Sequence, residues 1–310
     1  MATQTLAEAA KLISNQIVKG VAQDVISINP IYDLLPFTPY AGQALLVNRE
    51  NALGDADFFA VDATITSKAA ATFTQVPFSA TKIIGDAELD GLVQAQSVSA
   101  GVDQMAVEVS SKAKSIGRKF QTGMATGTGT SPQMYSLHSL CDSGQFTTAS
   151  AGQALSFALL DELLDLVKAK DGQVDWIMMP ARTLRAYKTL VRAAGGATSE
   201  FMRDTNTGRT VDAYNGIPIF KNEYLSVVET ANGAALTGGA LTSVYAGVFD
   251  DGSQKVGISG IYPASMEMGI NVEAIGKQEA KDTDIVRLKW YTNFVNFNRR
   301  GLARLTSINN

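Results

Sequence analysis

The chain has 310 residues, 45% of them hydrophobic and 18% charged, with a formal net charge of -4. That balance describes an ordered globular protein with a large core, built as one elaborate domain or two of ordinary size. It excludes a disordered chain, and the lack of a Lys/Arg run argues against a protein that coats nucleic acid by neutralising phosphates. No stretch reaches the roughly 18 consecutive apolar residues of a membrane span. Residues 1–15 are mixed and alanine-rich, where a secretory signal would carry an apolar core. A soluble protein without membrane contact is expected.

Residues 5–28 carry Leu6, Ala9, Ala10, Ile13, Ile17, Val21, Val25 and Ile28, a helical spacing interrupted by Gly20. Pro30, Pro36 and Pro39 end that pattern and force an extended crossing, so the segment reads as an arm without a core of its own. Residues 45–82 alternate like strands on both sides of a polar, alanine-rich tip. Phe59, Val61, Ala63 and Ile65 share one face, residues 67–72 break the pattern, and residues 73–84 resume it with a phase slip near Gln75. A long two-stranded hairpin is predicted. Pro77 cannot sit in a central strand, so the ribbon needs a free edge. Two strands alone are marginal in water, which calls for support from other chains.

Residues 86–124 read as one long amphipathic helix. Leu89, Leu92, Val93, Gln96, Val102, Met105, Ala106, Val109, Ala113, Ile116, Phe120 and Met124 recur mostly every three or four positions. Asp86, Glu88 and Asp90 at its start and Lys112, Lys114, Arg118 and Lys119 near its end oppose the helix dipole. At about 1.5 Å per residue it would be roughly 60 Å long, enough to brace something. Gly91, Gly101 and Gly117 predict a bend or a fray within it.

Residues 126–131 and 147–152 are rich in small residues and read as connectors. The first, TGTGTS, lacks the Gly-Lys-Ser/Thr ending and the preceding hydrophobic strand of a phosphate loop. Between them lie His138 and Cys141, the only histidine and cysteine. One of each rules out an intrachain disulfide and the usual zinc sites, and leaves one candidate Cys-His pair. The competing reading is a small apolar thiol beside a polar loop residue. No Gly-x-Ser-x-Gly turn accompanies His138 to suggest a serine triad.

Ser156 suits the N-cap of a helix with Leu159, Leu160, Leu163, Leu164 and Val167 on one face. Residues 174–179 form a short apolar strand, with Trp176, Met178 and Met179 as core filling. A second helix at 180–194 turns Leu184, Tyr187, Leu190 and Val191 inward and stops at Gly195-Gly196. The polar residues 198–209 follow, and Asn215-Gly216 marks a turn before a strand at 217–220. Another strand covers 244–249. Met266, Met268, Ile270, Val272 and Ala274 alternate over one strand, and Val286, Leu288 and Trp290 over the next, with Phe294 and Phe297 continuing. The C-terminal third is therefore antiparallel β. Asp250, Asp251, Asp282 and Asp284 read as turn residues rather than metal ligands, because Asp caps backbone N–H groups in turns.

This order of parts resembles the major capsid proteins of tailed bacteriophages with the HK97-type fold. DWIMMPARTLRAYKTLVRAAGG at 175–196 looks like the strand and helix that precede the axial domain in that family. YNGIPIFKNEYL at 214–225 and VYAGVFDDG at 244–252 resemble later strands. The resemblance implies an α+β chain with an N-terminal arm (1–40), an extended hairpin or E-loop (41–85) and a peripheral domain with a spine helix (86–194). An axial domain (195–260) and strands returning to the peripheral domain (261–310) complete it.

It further implies a non-enzymatic shell protein, without cofactor or metal, that assembles with itself into hexamers and pentamers and encloses double-stranded DNA without reading its sequence. Assembly in a host cytoplasm into a virion capsid, a separate scaffolding protein, a portal protein and room for a decoration protein come with it. The inter-subunit contacts would include Phe58, Phe59, Val61, Lys68 and Phe73 on the hairpin. Some members crosslink through a hairpin lysine; Lys68 is read here as a solvated tip charge. The competing functions are an encapsulin-type nanocompartment shell and, from another class, a hydrolase using acidic residues or Cys141.

Overall fold

The computed structural model describes residues 34–99, 103–195, 201–203 and 210–309. The helical arm expected over 5–28, the glycine pair's second member Gly196 and nearly all of the polar stretch 198–209 lie outside the described residues. The strands within them form a five-stranded, a seven-stranded and a two-stranded sheet, an α+β architecture.

The first sheet contains β1 (Phe37–Tyr40), β4 (Thr81–Asp90), β11 (Ile258–Pro263), β12 (Asn271–Lys277) and β13 (Thr283–Asn296). Fourteen-residue β13 is its axis. It pairs antiparallel with β11, with β12 and with all ten residues of β4, from Thr283↔Asp90 to Thr292↔Thr81. In β4 the alternating set Ile83, Gly85, Ala87 and Leu89 is the less exposed one, the period-two signature of a strand with one covered face.

This alters the reading of the long helix. Residues 86–90 are strand, and the helical residues are α1 (Gly91–Ser99) and α2 (Gln104–Thr126). Asp86 therefore does not face a helix dipole; its carboxylate takes two hydrogen bonds from Arg287 of β13, at 2.8 and 2.9 Å. The start of α2 is capped by Asp103, which accepts from the Ala106 N–H at 3.1 Å. At 23 residues α2 is about 35 Å long. Its buried Ile116, Phe120 and Met124 fall on one face, and Phe120 stacks on Trp290 with ring centroids 4.4 Å apart and meets Phe294 in a tilted contact at 5.1 Å. The helix packs over Gly85, where a Cβ would make ordinary van der Waals contact with Ile116 and Lys112 at 3.9 Å.

The second sheet runs β5 (Phe146–Gln153), β14 (Leu302–Ile308), β10 (Thr242–Gly247), β6 (Trp176–Met179), β9 (Ile217–Lys221), β8 (Thr210–Tyr214) and β7 (Phe201–Arg203). The short α3 (Leu137–Leu140) precedes it. Every residue of β6, β10 and β14 is buried, because both faces are covered. Ile177, Met179, Val244, Ala246, Ala303 and Leu305 pack with α4 (Phe157–Leu166) and α5 (Ala181–Ala193). Trp176, Met178, Tyr245 and Leu302 point the other way, into the core that holds Phe120 and Phe294. Trp176 and the methionines are core filling, as expected. Ser156 caps α4 by accepting from the Leu159 N–H. Asn215 and Gly216 at φ 50° and 76° close the tight β8–β9 turn, a left-handed pair that Asn and Gly tolerate.

Two further expectations change. Residues 147–152 are not a connector: they lie in β5, which pairs parallel with β14. Met266 and Met268 precede their strand, which starts at Asn271 and carries a register shift between Ala274 and Gly276.

A buried ion pair ties the second sheet to the loop over it. Arg304 of β14 and Glu229, 5% and 1% exposed, meet at 3.0 Å. Ser243 donates to the same carboxylate and accepts from the Arg304 Nε, and the guanidinium also reaches the Gly233 carbonyl at 3.3 Å. Gly233 must be glycine, since a Cβ would lie 2.2 Å from the Arg304 Nη2. Replacing Arg304→Met strands a buried carboxylate and is expected to cost about 3–5 kcal/mol, while Arg304→Met with Glu229→Leu recovers most of the loss. Denaturant midpoints of the two variants check this.

His138 lies near the same guanidinium. Burial, then the Arg304 charge, push its pKa down to about 4. The unfolded chain therefore takes up this proton first, and stability is lost as pH falls from about 6.5 towards 4. His138→Gln should flatten that part of the profile, measured as denaturation midpoint against pH.

Candidate assembly surface

The two-stranded sheet pairs β2 (Leu45–Ala52) with β3 (Thr72–Phe78), from Leu45↔Phe78 to Ala52↔Thr72. Among the described residues neither outer edge pairs with another strand, as Pro77 in β3 anticipates. The strand expected over Phe59 to Ile65 is absent: residues 53–71 connect β2 to β3 without regular structure. The pattern break falls at Ser79 and Ala80, not at Gln75, because there the chain leaves the ribbon and joins the large sheet as β4. That corner is clamped. The Asn293 side-chain amide donates to the Ser79 carbonyl at 2.6 Å, and the Ala80 N–H donates to the Tyr40 hydroxyl at 2.9 Å.

All five predicted contact residues lie on this ribbon. Phe58 and Val61 are 101% and 94% exposed, Phe73 69% and Phe59 39%, and Lys68 is exposed too. Large apolar side chains this bare cost roughly 25 cal/mol for each Å² that a partner could cover. A second bare apolar group, unforeseen as such in the sequence, sits around β12: Met268, Val272 and Ile275.

Along the outer half of β2, from Asn48 to the Leu53 that follows it, a cleft of about 620 Å³ opens between the ribbon and two loops of the body. Arg49, Glu50, Asp142, Arg299 and Arg300 are among its walls. Asp142 pairs with Arg299 at 2.9 Å, and the Arg49 guanidinium lies over the Phe78 ring at 5.7 Å and donates to the Asn296 carbonyl. Burial and then the Arg299 charge lower the Arg49 pKa. Sequence reasoning missed this cleft. Only the Arg299-Arg300 doublet signals it, and a doublet has no address without the fold.

The remaining candidates have structural roles. Cys141 follows α3, its thiol directed at the Gln145 carbonyl at 3.4 Å, and burial raises its pKa to about 12. With His138 held neutral, the pair supplies no thiolate near neutral pH. The Asp250 carboxylate accepts the N–H groups of Gly252 and Gln254, and Asp251 accepts that of Ser253, so both are turn residues. None of the described helices is long and apolar enough to cross a membrane.

No family model and no curated protein matches the chain. Solved structures do. The encapsulin of the holo-SrpI complex from Synechococcus elongatus PCC 7942 superposes with a TM-score of 0.71 at 16% identity, over 100% of this chain and 97% of the other. The capsid of cyanophage A-1(L) gives 0.71 at 12% identity over 99% and 100%. The capsid of the native GTA particle gives 0.67 at 10% identity over 97% of both chains. Ribbon, braced sheet and doubly covered second sheet together make up the HK97-type fold of phage capsid and encapsulin shell proteins.

Proposed function

We propose that this chain is the major capsid protein of a tailed phage, assembling as hexamers and pentamers into an icosahedral head around double-stranded DNA. The observation that carries the reading is the bare ribbon, with Phe58 and Val61 wholly in solvent on a fold whose full-length neighbours are shells. A ribbon that cannot bury its apolar side chains within its own chain gains that burial from a neighbour, and a closed shell gives every copy one. The net charge of -4 suits a wall that holds DNA without binding it tightly or reading its sequence. The reading places the product in the virion after assembly in the host cytoplasm. Its partners are a separate scaffolding protein and a portal protein, with room for a decoration protein. The domain limits 1–40, 41–85, 86–194, 195–260 and 261–310 belong to the same reading.

The second reading is an encapsulin-type shell around a protein cargo, favoured by the 0.71 superposition on an encapsulin over the whole chain. Contents decide between them: nuclease-protected DNA in purified particles fits the capsid, a co-purifying protein the compartment. A hydrolase using Cys141 is disfavoured by its raised thiol pKa.

Replacing Phe58→Ser and Phe59→Ser together is expected to leave a folded, soluble chain that forms particles at least tenfold less well, since covering the fully exposed Phe58 alone brings about 1.5–3 kcal/mol. Size-exclusion chromatography with negative-stain microscopy reads the result. Normal particles from this variant would remove those aromatics from the interface.

A further inference from the structure

The cleft beside β2 carries cationic charge that its own chain leaves partly unanswered. Of its three guanidinium groups, Arg299 is paired with Asp142. Arg49 contacts a ring and a backbone carbonyl, and its Nε has no hydrogen-bond partner. The exposed Arg300 side chain forms no ion pair among the described residues. Glu50 at the rim is the other carboxylate of the cleft. Two arginines thus share a site in which the inner carboxylate is already committed, and an added carboxylate would relieve their repulsion.

The opposite charge lies in the segment that follows β2. Residues 53–71 contain Asp55, Asp57 and Asp62 against a single base, Lys68. These aspartates form no ion pair among the described residues, and residues 54–71 do not line the cleft of their own chain. They flank Phe58 and Val61, the side chains most in need of cover.

We propose that the cleft of one copy receives the acidic tip of a second copy's ribbon, with Asp55, Asp57 and Asp62 meeting Arg49, Arg299 and Arg300. The proposal rests on the shell reading and names the surfaces that join. The contact is heterologous, the tip of one copy on the β2 cleft of the next, so it repeats from copy to copy around a ring. Charge fixes which copy docks where and in what register, and the apolar side chains beside the aspartates supply the burial.

The test is a charge exchange in the full chain. Arg299→Glu with Arg300→Glu, and separately Asp55→Lys, Asp57→Lys and Asp62→Lys, should each reduce the assembled fraction in sedimentation by about tenfold or more. Combining both sets in one chain should restore assembly. Independently, with the half-buried native Cys141 replaced by serine, a chain with Asp57→Cys and Arg300→Cys should give a ladder of disulfide-linked chains after oxidation of its particles, and one with Asp57→Cys alone should not. Wild-type particles with neither rescue nor ladder would overturn the docking and leave the shell reading standing. Normal assembly of the Arg299→Glu, Arg300→Glu chain with less retained DNA would assign the cleft to phosphate and overturn the docking. A wild-type chain that stays monomeric at every concentration, forming neither rings nor particles, would overturn both.

Discussion

The pairing of β13 is the constraint on which the rest of the structure depends. One strand holds β4 along its whole length, receives β11 and β12, and presents Trp290 and Phe294 to the α2 helix. Asn293 of the same strand also clamps the corner where the ribbon departs and accepts the Tyr135 N–H at 2.8 Å. The exit of the ribbon is thereby fixed by the most deeply anchored strand of the body. A rigid root and an irregular tip make mechanical sense for an element that must adapt to a neighbour, because Phe58 and Val61 at the tip have almost no intrachain packing to lose.

The second sheet solves a different problem. Its central strands are buried on both faces and read in sequence as unbroken apolar runs such as WIMM, so their position depends on having helices on one side and the aromatic core on the other. The Arg304–Glu229 pair holds the loop at Gly233 against β14 through charge and hydrogen bonds, and burying both charges offsets much of what their attraction contributes. Both charges are nearly inaccessible, which makes the pair a positioning device and not a binding site.

Where local pattern decides structure, the sequence is legible. Ser156 as a cap, Asn215-Gly216 as a turn, the α5 helix, the β6 strand and the free-edged ribbon follow from propensity and period alone. The boundary of the long helix does not, because strand and helix patterns overlap at Leu89 to Val93. Ten backbone pairs with β13, some two hundred residues away in the chain, settle residues 86–90 as strand. Small residues hide β5 in the same way, since Thr, Ala, Ser and Gly carry little hydrophobic signal and the parallel partner β14 lies near the C-terminus. The cleft was illegible for a third reason: positions 49, 142 and 299 meet only in the fold. The exposure of Phe58 and Phe73 was legible because two strands of a ribbon cannot cover both of its faces, although the alternation read over Phe59 to Ile65 is not a strand.

The central claim is that the ribbon completes its packing only on another copy of the chain. A cryo-EM reconstruction of the assembled particle tests it most directly. The account predicts residues 53–71 lying across a neighbouring subunit with Phe58 and Val61 buried against it. A closed particle in which that segment folds back on its own chain, or projects freely into solvent, would contradict it.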